Sequence, residues 1–136
     1  MSNLYELIQK RLLLSLDLAS IKSALSLPIE DLTREKEILS LAKSPNEKIF
    51  LQSQMNASKL LQKRLQPSPL LPTIKRQEWE KKYQDLRQQI KILTQQLLRS
   101  FRQNQKKPLD KDFQQDPIIP QDVWMLATRY LNDDSK

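Results

Sequence analysis

The chain of 136 residues contains no glycine. Average usage of about 7% would place roughly nine or ten glycines in a chain of this length. Glycine supplies the left-handed turns, hairpins and bulges on which strand-rich folds depend. We therefore predict an all-α fold, a helical bundle of about five helices that includes one long basic helix.

The same absence limits the chemistry that the chain can perform. A Walker loop, a dinucleotide-binding fingerprint and a Gly-x-Ser-x-Gly nucleophile elbow all need glycine. The chain also has no histidine and no cysteine, which are the usual general base, thiol nucleophile and zinc ligands. Its carboxylate pairs are better explained by helix capping and surface pairing than by acid–base catalysis. We expect a protein that is not an enzyme and has no catalytic residues, no metal site and no cofactor.

The most apolar stretch, residues 12–27, is interrupted by Asp17 and Lys22. It is too short and too charged to span a bilayer, and no cleavage site of a signal peptide follows it. Membrane association through the first helix is the weaker alternative, because that helix has little basic flank. The sequence predicts a soluble, cytoplasmic protein with no membrane partner.

The first helix is predicted from about Leu4 to Leu25, and its many leucines favour a central position in the bundle or contact with a second protein. A break at Ser26-Leu27-Pro28 precedes a short second helix, which ends at about Lys43. Each of these two helices has one apolar face that can be buried.

The clearest boundary is Ser44-Pro45-Asn46-Glu47, which combines an N-cap serine, a proline at the first helical position and a capping-box glutamate. It predicts a third helix from Pro45 to about Leu65. The three prolines within residues 66–73 exclude helix and indicate a stiff connector. Pro69-x-x-Pro72 also fits a polyproline ligand, although so short a match is common by chance.

The fourth predicted helix, about residues 74–105, carries an a/d seam of nearly three heptads. A seam this short is more typical of an intramolecular bundle edge than of a free coiled-coil dimer. The register places Lys81, Lys91, Arg99, Arg102 and Lys106 outward, together with most of eight glutamines. The seam consists of Trp79, Tyr83, Leu86, Ile90, Leu93 and Leu97.

Residues 108–136 are acidic, and they are predicted to form a linker and a final helix that begins at Pro120. We assign them to the same domain as the helical bundle of residues 1–107. A terminal aromatic residue after a loop can anchor a neighbouring subunit. The predicted partner-docking residues are Trp124, Tyr130 and Leu131.

The positive charge is concentrated between residues 73 and 107, where ten Lys/Arg stand against three Asp/Glu. That local excess equals the net charge of +7 of the whole chain, and it favours a polyanionic partner such as nucleic acid. Lysine and arginine neutralise phosphates without reading sequence. The predicted nucleic-acid-binding residues are Lys59, Lys63, Arg64, Lys75, Arg76, Lys81, Lys82, Arg87, Lys91, Arg99, Arg102, Lys106 and Lys107.

A basic, glycine-poor helical chain with such cations on its bundle surfaces resembles the small subunit of multi-subunit CRISPR surveillance complexes. The resemblance covers the whole chain and has no diagnostic motif. It implies a non-catalytic bundle, repeated in several copies within an RNA-guided antiviral complex, that holds the backbone of target or displaced DNA. The residues that carry the resemblance are Lys59, Lys63, Arg64, Lys81, Lys91, Arg99 and Arg102.

A protein scaffold is the competing hypothesis. In that case the leucines of the first helix and the seam from Trp79 to Leu97 pack against partner helices. The basic face then meets an acidic protein, or only keeps the long helix in solution. The sequence leaves both hypotheses open.

Overall fold

The computed structural model shows an all-α bundle, as predicted. It describes residues 4–25, 27–28, 31–65, 76–103, 113 and 115–128. Within these residues the chain forms five helices and no strand. They are α1 (Leu4–Ala24), α2 (Leu32–Leu39), α3 (Pro45–Leu65), α4 (Arg76–Gln103) and α5 (Gln121–Thr128).

Helix α1 is the centre of the bundle and packs against both α4 and α3. Its apolar stripe is buried, with Ile8 and Leu12 almost completely excluded from solvent. Leu13, Leu14 and Leu16 are partly buried around the same core. This wide apolar surface explains why α1 contacts two long helices rather than one.

Helix α3 begins where the capping motif predicts. The Ser44 hydroxyl accepts a hydrogen bond of 3.2 Å from the backbone N–H of Glu47. The Glu47 carboxylate does not close the usual capping box with Ser44, because it accepts a bond of 2.9 Å from the backbone N–H of Lys43 instead. The start of the helix is therefore stabilised by side-chain acceptors on both sides of Pro45.

Helix α2 is shorter than predicted. Asp31 is its N-cap, since its carboxylate accepts a bond of 3.0 Å from the backbone N–H of Arg34. The helix ends at Leu39, and residues 40–44 form the turn that leads into α3. The prediction of helix as far as Lys43 is wrong because the N–H groups of Leu41 and Ala42 donate to the carbonyls of Ile38 and Leu39, in a tighter i→i−3 turn that ends the α-helix.

The seam of α4 faces the protein interior. Ile90, Leu93 and Leu97 are buried, whereas Tyr83 and Leu86 are half-buried nearer the start of the helix. Phe101, one position out of the heptad register, is buried as well and stacks on Phe50 of α3 with ring centroids 4.3 Å apart. The seam is thus an intramolecular edge, and α1 is the main helix that covers it.

Helix α5 packs against α3, and its aromatic residue reaches α1. The ring of Trp124 is buried and lies 5.6 Å from that of Phe113 and 6.0 Å from that of Tyr5. The Gln54 side chain donates a hydrogen bond of 2.7 Å to the carbonyl of Ala127. The expectation that Trp124 anchors a neighbouring subunit is therefore wrong, because its ring is part of the core of its own chain.

None of the described helices combines the length with the apolar character that crossing a membrane requires.

Candidate nucleic-acid interface

Helix α4 carries four exposed cations, Lys81, Lys82, Lys91 and Arg99. Lys81, Lys91 and Arg99 lie on its outer face, away from the apolar seam, whereas Lys82 flanks the seam. None of the four forms an ion pair with another described residue. Lys63, at the end of α3, is exposed in the same way. These five cations are available to an external anion.

Two other predicted cations lie on α3 and are already paired. The Lys59 ammonium lies 3.2 Å from a carboxylate oxygen of Glu35, and both side chains are mostly buried. Arg64 forms a bidentate ion pair with Asp122 in the first turn of α5, with Nη1 3.2 Å from Oδ1 and Nη2 bonded to Oδ2. About half of each side chain in the Arg64 pair remains exposed, so solvent screens that pair strongly.

Arg87 is half-buried between α4 and α2. Its guanidinium lies over the ring of Tyr83, 5.3 Å from the ring centroid, a cation–π contact. Its backbone carbonyl accepts a hydrogen bond of 3.1 Å from Arg34 of α2. The ring contact turns the guanidinium of Arg87 away from the outer face of α4.

Arg102 lies on the flank of the outer face with its side chain 35% exposed, but it is not free there as the prediction assumed. Its Nη2 lies 2.8 Å from Oε1 of Glu47 and its Nε lies 3.0 Å from Oε2. The guanidinium also contacts the carbonyl of Leu41 at 3.5 Å. The heptad register is correct, but the turn between α2 and α3 covers this flank of α4 and supplies a carboxylate.

The ion pair between Glu47 and Arg102 shifts the pKa of both side chains. The hydrogen bond from Arg102 and the backbone N–H of Lys43 lower the pKa of Glu47, because both donate to the charged carboxylate. The same bond raises the pKa of Arg102. Glu47 and Arg102 are thus held as an ionised pair that fixes α4 to the start of α3.

The remaining predicted site residues cannot be placed in the same detail. Arg76 begins α4, but its side chain lies outside the described part of the chain. Also outside the described residues are Lys75, Lys106, Lys107, Tyr130 and Leu131.

The sequence-based prediction did not include a second group of exposed lysines, which lies around the turn between α2 and α3 and is separate from the row on α4. Lys36, Lys43 and Lys48 line a shallow open groove there. Their signal in the sequence is the pair Lys43 and Lys48 on either side of the capping motif. That signal is weak because residues 1–72 carry ten Lys/Arg against seven Asp/Glu.

Taken together, the exposed cations among these side chains can bind anions. In the portion of the chain that the structure describes, no three acidic residues come together where they could hold a metal ion. The exposed cations of α4 lie along one helix rather than in a pocket. Such a row suits an extended polyanion better than a small ligand.

Comparison with protein-family models, with curated proteins and with solved structures found no match to this chain.

Proposed function

We propose that this chain is a non-catalytic helical subunit of a cytoplasmic nucleoprotein complex. It binds the nucleic-acid backbone through the outer face of α4 and meets the other subunits of the complex elsewhere on its surface. In this role it resembles the small subunit of an RNA-guided CRISPR complex that holds target or displaced DNA.

The observation that carries the proposal is the row of exposed cations on α4. Lys81 and Arg99 are 18 residues apart, which is five helical turns, so they point in the same direction about 27 Å apart. Lys91 is exposed between them, on one flank of this face. At about 3.4 Å per nucleotide, that distance spans about eight nucleotides of one strand. From Leu86 to Gln103 the helix has no acidic residue.

Glutamines occupy most of the remaining outer positions of this row. Gln84, Gln88, Gln89, Gln95 and Gln96 are all exposed. Their amides can donate to phosphate oxygens and sugar hydroxyls, contacts that position a strand without reading its sequence. The outer face therefore combines charge with neutral donors, as a backbone-binding surface requires.

Among its described residues, the outer face of α4 offers no aromatic side chain on which a base could stack. Trp79 is buried against α1, and the ring of Tyr83 is half-buried beneath Arg87. No exposed aromatic side chain lies on α4 between residues 77 and 103. Without such a stacking platform, we expect binding that is insensitive to base identity.

The scaffold hypothesis was based on two surfaces, the leucines of α1 and the seam of α4. Ile90, Leu93 and Leu97 of the seam are buried within the chain, and so are Leu4, Leu7 and Leu12 of α1. Of the large apolar residues on the outer face of α4, Ile92 is exposed, and a single side chain makes a poor docking surface. We therefore favour the nucleic-acid hypothesis.

Binding of the purified chain to generic single-stranded DNA, double-stranded DNA and RNA at two salt concentrations tests the proposal. We expect binding at low salt that weakens steeply as salt rises, with a slope of about 0.9 for each phosphate contact on duplex DNA. The absence of measurable binding at low salt would refute the proposal.

A matched pair of triple variants tests the surface itself. The test variant is Lys81→Glu, Lys91→Glu and Arg99→Glu on α4. The control is Lys36→Glu, Lys43→Glu and Lys48→Glu, which changes the net charge equally on the side of the bundle near α2. We expect the α4 variant to lose much more affinity and salt dependence than the control. Equal losses would mean that only net charge matters, and would overturn the assignment to α4.

A further inference from the structure

A cationic cavity lies between α1, α2, α3 and α4, away from the outer face of α4. Its volume is about 90 Å³. At about 15 Å³ for each water, that is room for about six waters or for one tetrahedral oxyanion. Its polar lining includes Arg11 and Lys22 of α1, Arg34 of α2, Gln62 of α3 and Arg87 of α4.

Arg11 is the most unusual of these residues, because a guanidinium is buried against neutral partners. Its side chain is 5% exposed. Its Nε donates to the hydroxyl of Thr94 and its Nη1 to the hydroxyl of Ser58, each at 3.0 Å. Among the described residues, no carboxylate lies within ion-pair distance of Arg11. A buried charge without a counterion is costly.

The charge balance of the lining is positive. Five cations and two carboxylates line the cavity, which leaves a net charge of +3, and the charges of Asp31 and Glu35 partly offset the effect of burial on the pKa of Lys22. Asp31 caps α2 through the backbone N–H of Arg34, and Glu35 is paired with Lys59. The five cationic side chains that the structure places in the lining are Arg11, Lys22, Arg34, Lys59 and Arg87.

Burial in this cavity disfavours the charged form of its cations. Burial, and after it the charge of Arg34, lowers the pKa of Arg11 to about 10, so its guanidinium stays charged at neutral pH. Burial is also the main cause that lowers the pKa of Lys22. An anion in the cavity would offset both penalties, because it favours the charged form of each group.

The cavity also contains an acceptor without a donor. Gln62 is buried, and its Oε1 has no hydrogen-bond partner. An unpaired buried oxygen costs about 1 to 3 kcal/mol. An occupant that accepts hydrogen bonds from the cations and donates one to Gln62 would satisfy both sides of the lining.

We propose that this cavity binds a hydrogen phosphate ion. The cations come from four different helices, an arrangement that suits a tetrahedral oxyanion with acceptors in several directions. A planar carboxylate would be satisfied by one bidentate arginine. A hydrogen phosphate carries a P–OH group for Gln62, whereas sulfate at neutral pH carries no proton. The proposal does not depend on nucleic-acid binding by α4.

The same group could come from free phosphate or from the phosphorylated end of a nucleic-acid strand. A terminal phosphate has a second pKa of about 6, so near neutral pH it has mostly lost the P–OH group that would donate a hydrogen bond to Gln62. A strand would also have to fit its end into a partly open cavity of about 90 Å³ that four helices line. We therefore expect the free ion to be the ligand.

Isothermal titration calorimetry of the full chain with inorganic phosphate tests the proposal, with ionic strength held constant by chloride. We expect one saturable binding event with phosphate, weaker binding of sulfate, and no advantage of a 5′-phosphorylated oligonucleotide over its 5′-hydroxyl form at this site. No saturable phosphate binding would overturn the proposal. Sulfate binding as tight as phosphate, or tighter binding of the phosphorylated strand end, would overturn the assignment to hydrogen phosphate.

Variants locate the binding event. Arg34→Gln removes a half-buried cation from the lining, and it is expected to weaken phosphate binding about tenfold or more, the effect of one charge-assisted hydrogen bond. Arg11→Gln is expected to do the same, but it also alters contacts among three helices, so Arg34→Gln is the decisive variant. Lys36→Gln, on the same helix but outside the lining, is the matched control. An equal loss in Lys36→Gln and Arg34→Gln would place the ion elsewhere and refute the proposal.

Discussion

Arg102 near the end of α4 and Glu47 in the first turn of α3 form a bidentate ion pair, with N–O distances of 2.8 and 3.0 Å. The two residues are 55 positions apart in the chain. Glu47 also accepts the backbone N–H of Lys43. One carboxylate thus connects the end of the longest helix, the turn after α2 and the start of α3.

Arg102→Gln is expected to lower the free energy of unfolding by about 1 kcal/mol, because it removes a charge-assisted pair whose cation is 35% exposed. Arg102→Glu should cost more, since it brings a second carboxylate against Glu47. Urea denaturation followed by circular dichroism measures both. Arg99→Gln, on the exposed face of the same helix, is the control and should stay within about 0.5 kcal/mol of the wild type. If Arg99→Gln lowers the free energy of unfolding as much as Arg102→Gln does, then the ion pair between Arg102 and Glu47 has no special structural role.

The lowered pKa of Glu47 predicts a specific pH dependence of stability. A carboxyl whose folded pKa lies below its unfolded value stabilises the fold above its ordinary pKa of 4.5. That contribution is lost as the pH falls through the lowered folded value. We therefore expect Glu47→Gln to be less stable than the wild type at neutral pH, with a difference that narrows in acid. Urea titrations at a series of pH values measure it, and a difference independent of pH would contradict the prediction.

Local signals in the sequence predicted much of the fold. The start of α3 at Pro45 was correct because Ser44 and the proline act through neighbouring backbone groups. The seam of α4 was correct because heptad spacing alone determines which side chains share a face. Neighbouring apolar residues still differ, since Ile49 is 43% exposed and Phe50 is fully buried. One residue along a helix turns a side chain by about 100°, so only one of two adjacent side chains can point at the core.

The charged site was predicted less well, because the partners of its cations are distant in sequence. Arg64 and Lys59 meet carboxylates that are 58 and 24 positions away. No spacing rule gives such pairs, since they depend on how the helices pack. Arg11 did carry a signal, because it lies three positions after Ile8 on the buried stripe of α1. A charge on an apolar stripe indicates either a buried polar network or a ligand site.

Two adjacent residues on α4 provide a sharp test of its orientation. Leu93 is 5% exposed and Ile92 is 46% exposed. Leu93→Ala is expected to lower the free energy of unfolding by about 2 to 5 kcal/mol, the usual cost of emptying a core site. Ile92→Ala should have almost no effect, because alanine has the higher helix propensity and little burial is lost. Urea denaturation measures the free energy of unfolding of both variants. Similar losses in Leu93→Ala and Ile92→Ala would mean that α4 is rotated about its axis relative to this structure.

The pair between Arg64 and Asp122 leads to a last prediction, which depends on nucleic-acid binding by this chain. Asp122→Asn removes the charge that neutralises Arg64 at the end of α3, next to the exposed Lys63. Because the pair is half-exposed, its loss should cost at most about 1 kcal/mol of stability. The released guanidinium can add one phosphate contact, which should strengthen DNA binding at low salt and steepen the salt slope by about 0.9.

The control for Asp122→Asn is Asp17→Asn. Asp17 is exposed on α1 and forms no ion pair with another described residue, so its replacement changes the net charge equally without releasing a cation. Fluorescence anisotropy with a labelled oligonucleotide at several salt concentrations compares the two variants. If both raise the affinity equally, then net charge explains the gain and Arg64 is not part of the interface. A gain confined to Asp122→Asn would extend the binding surface from α4 to the end of α3.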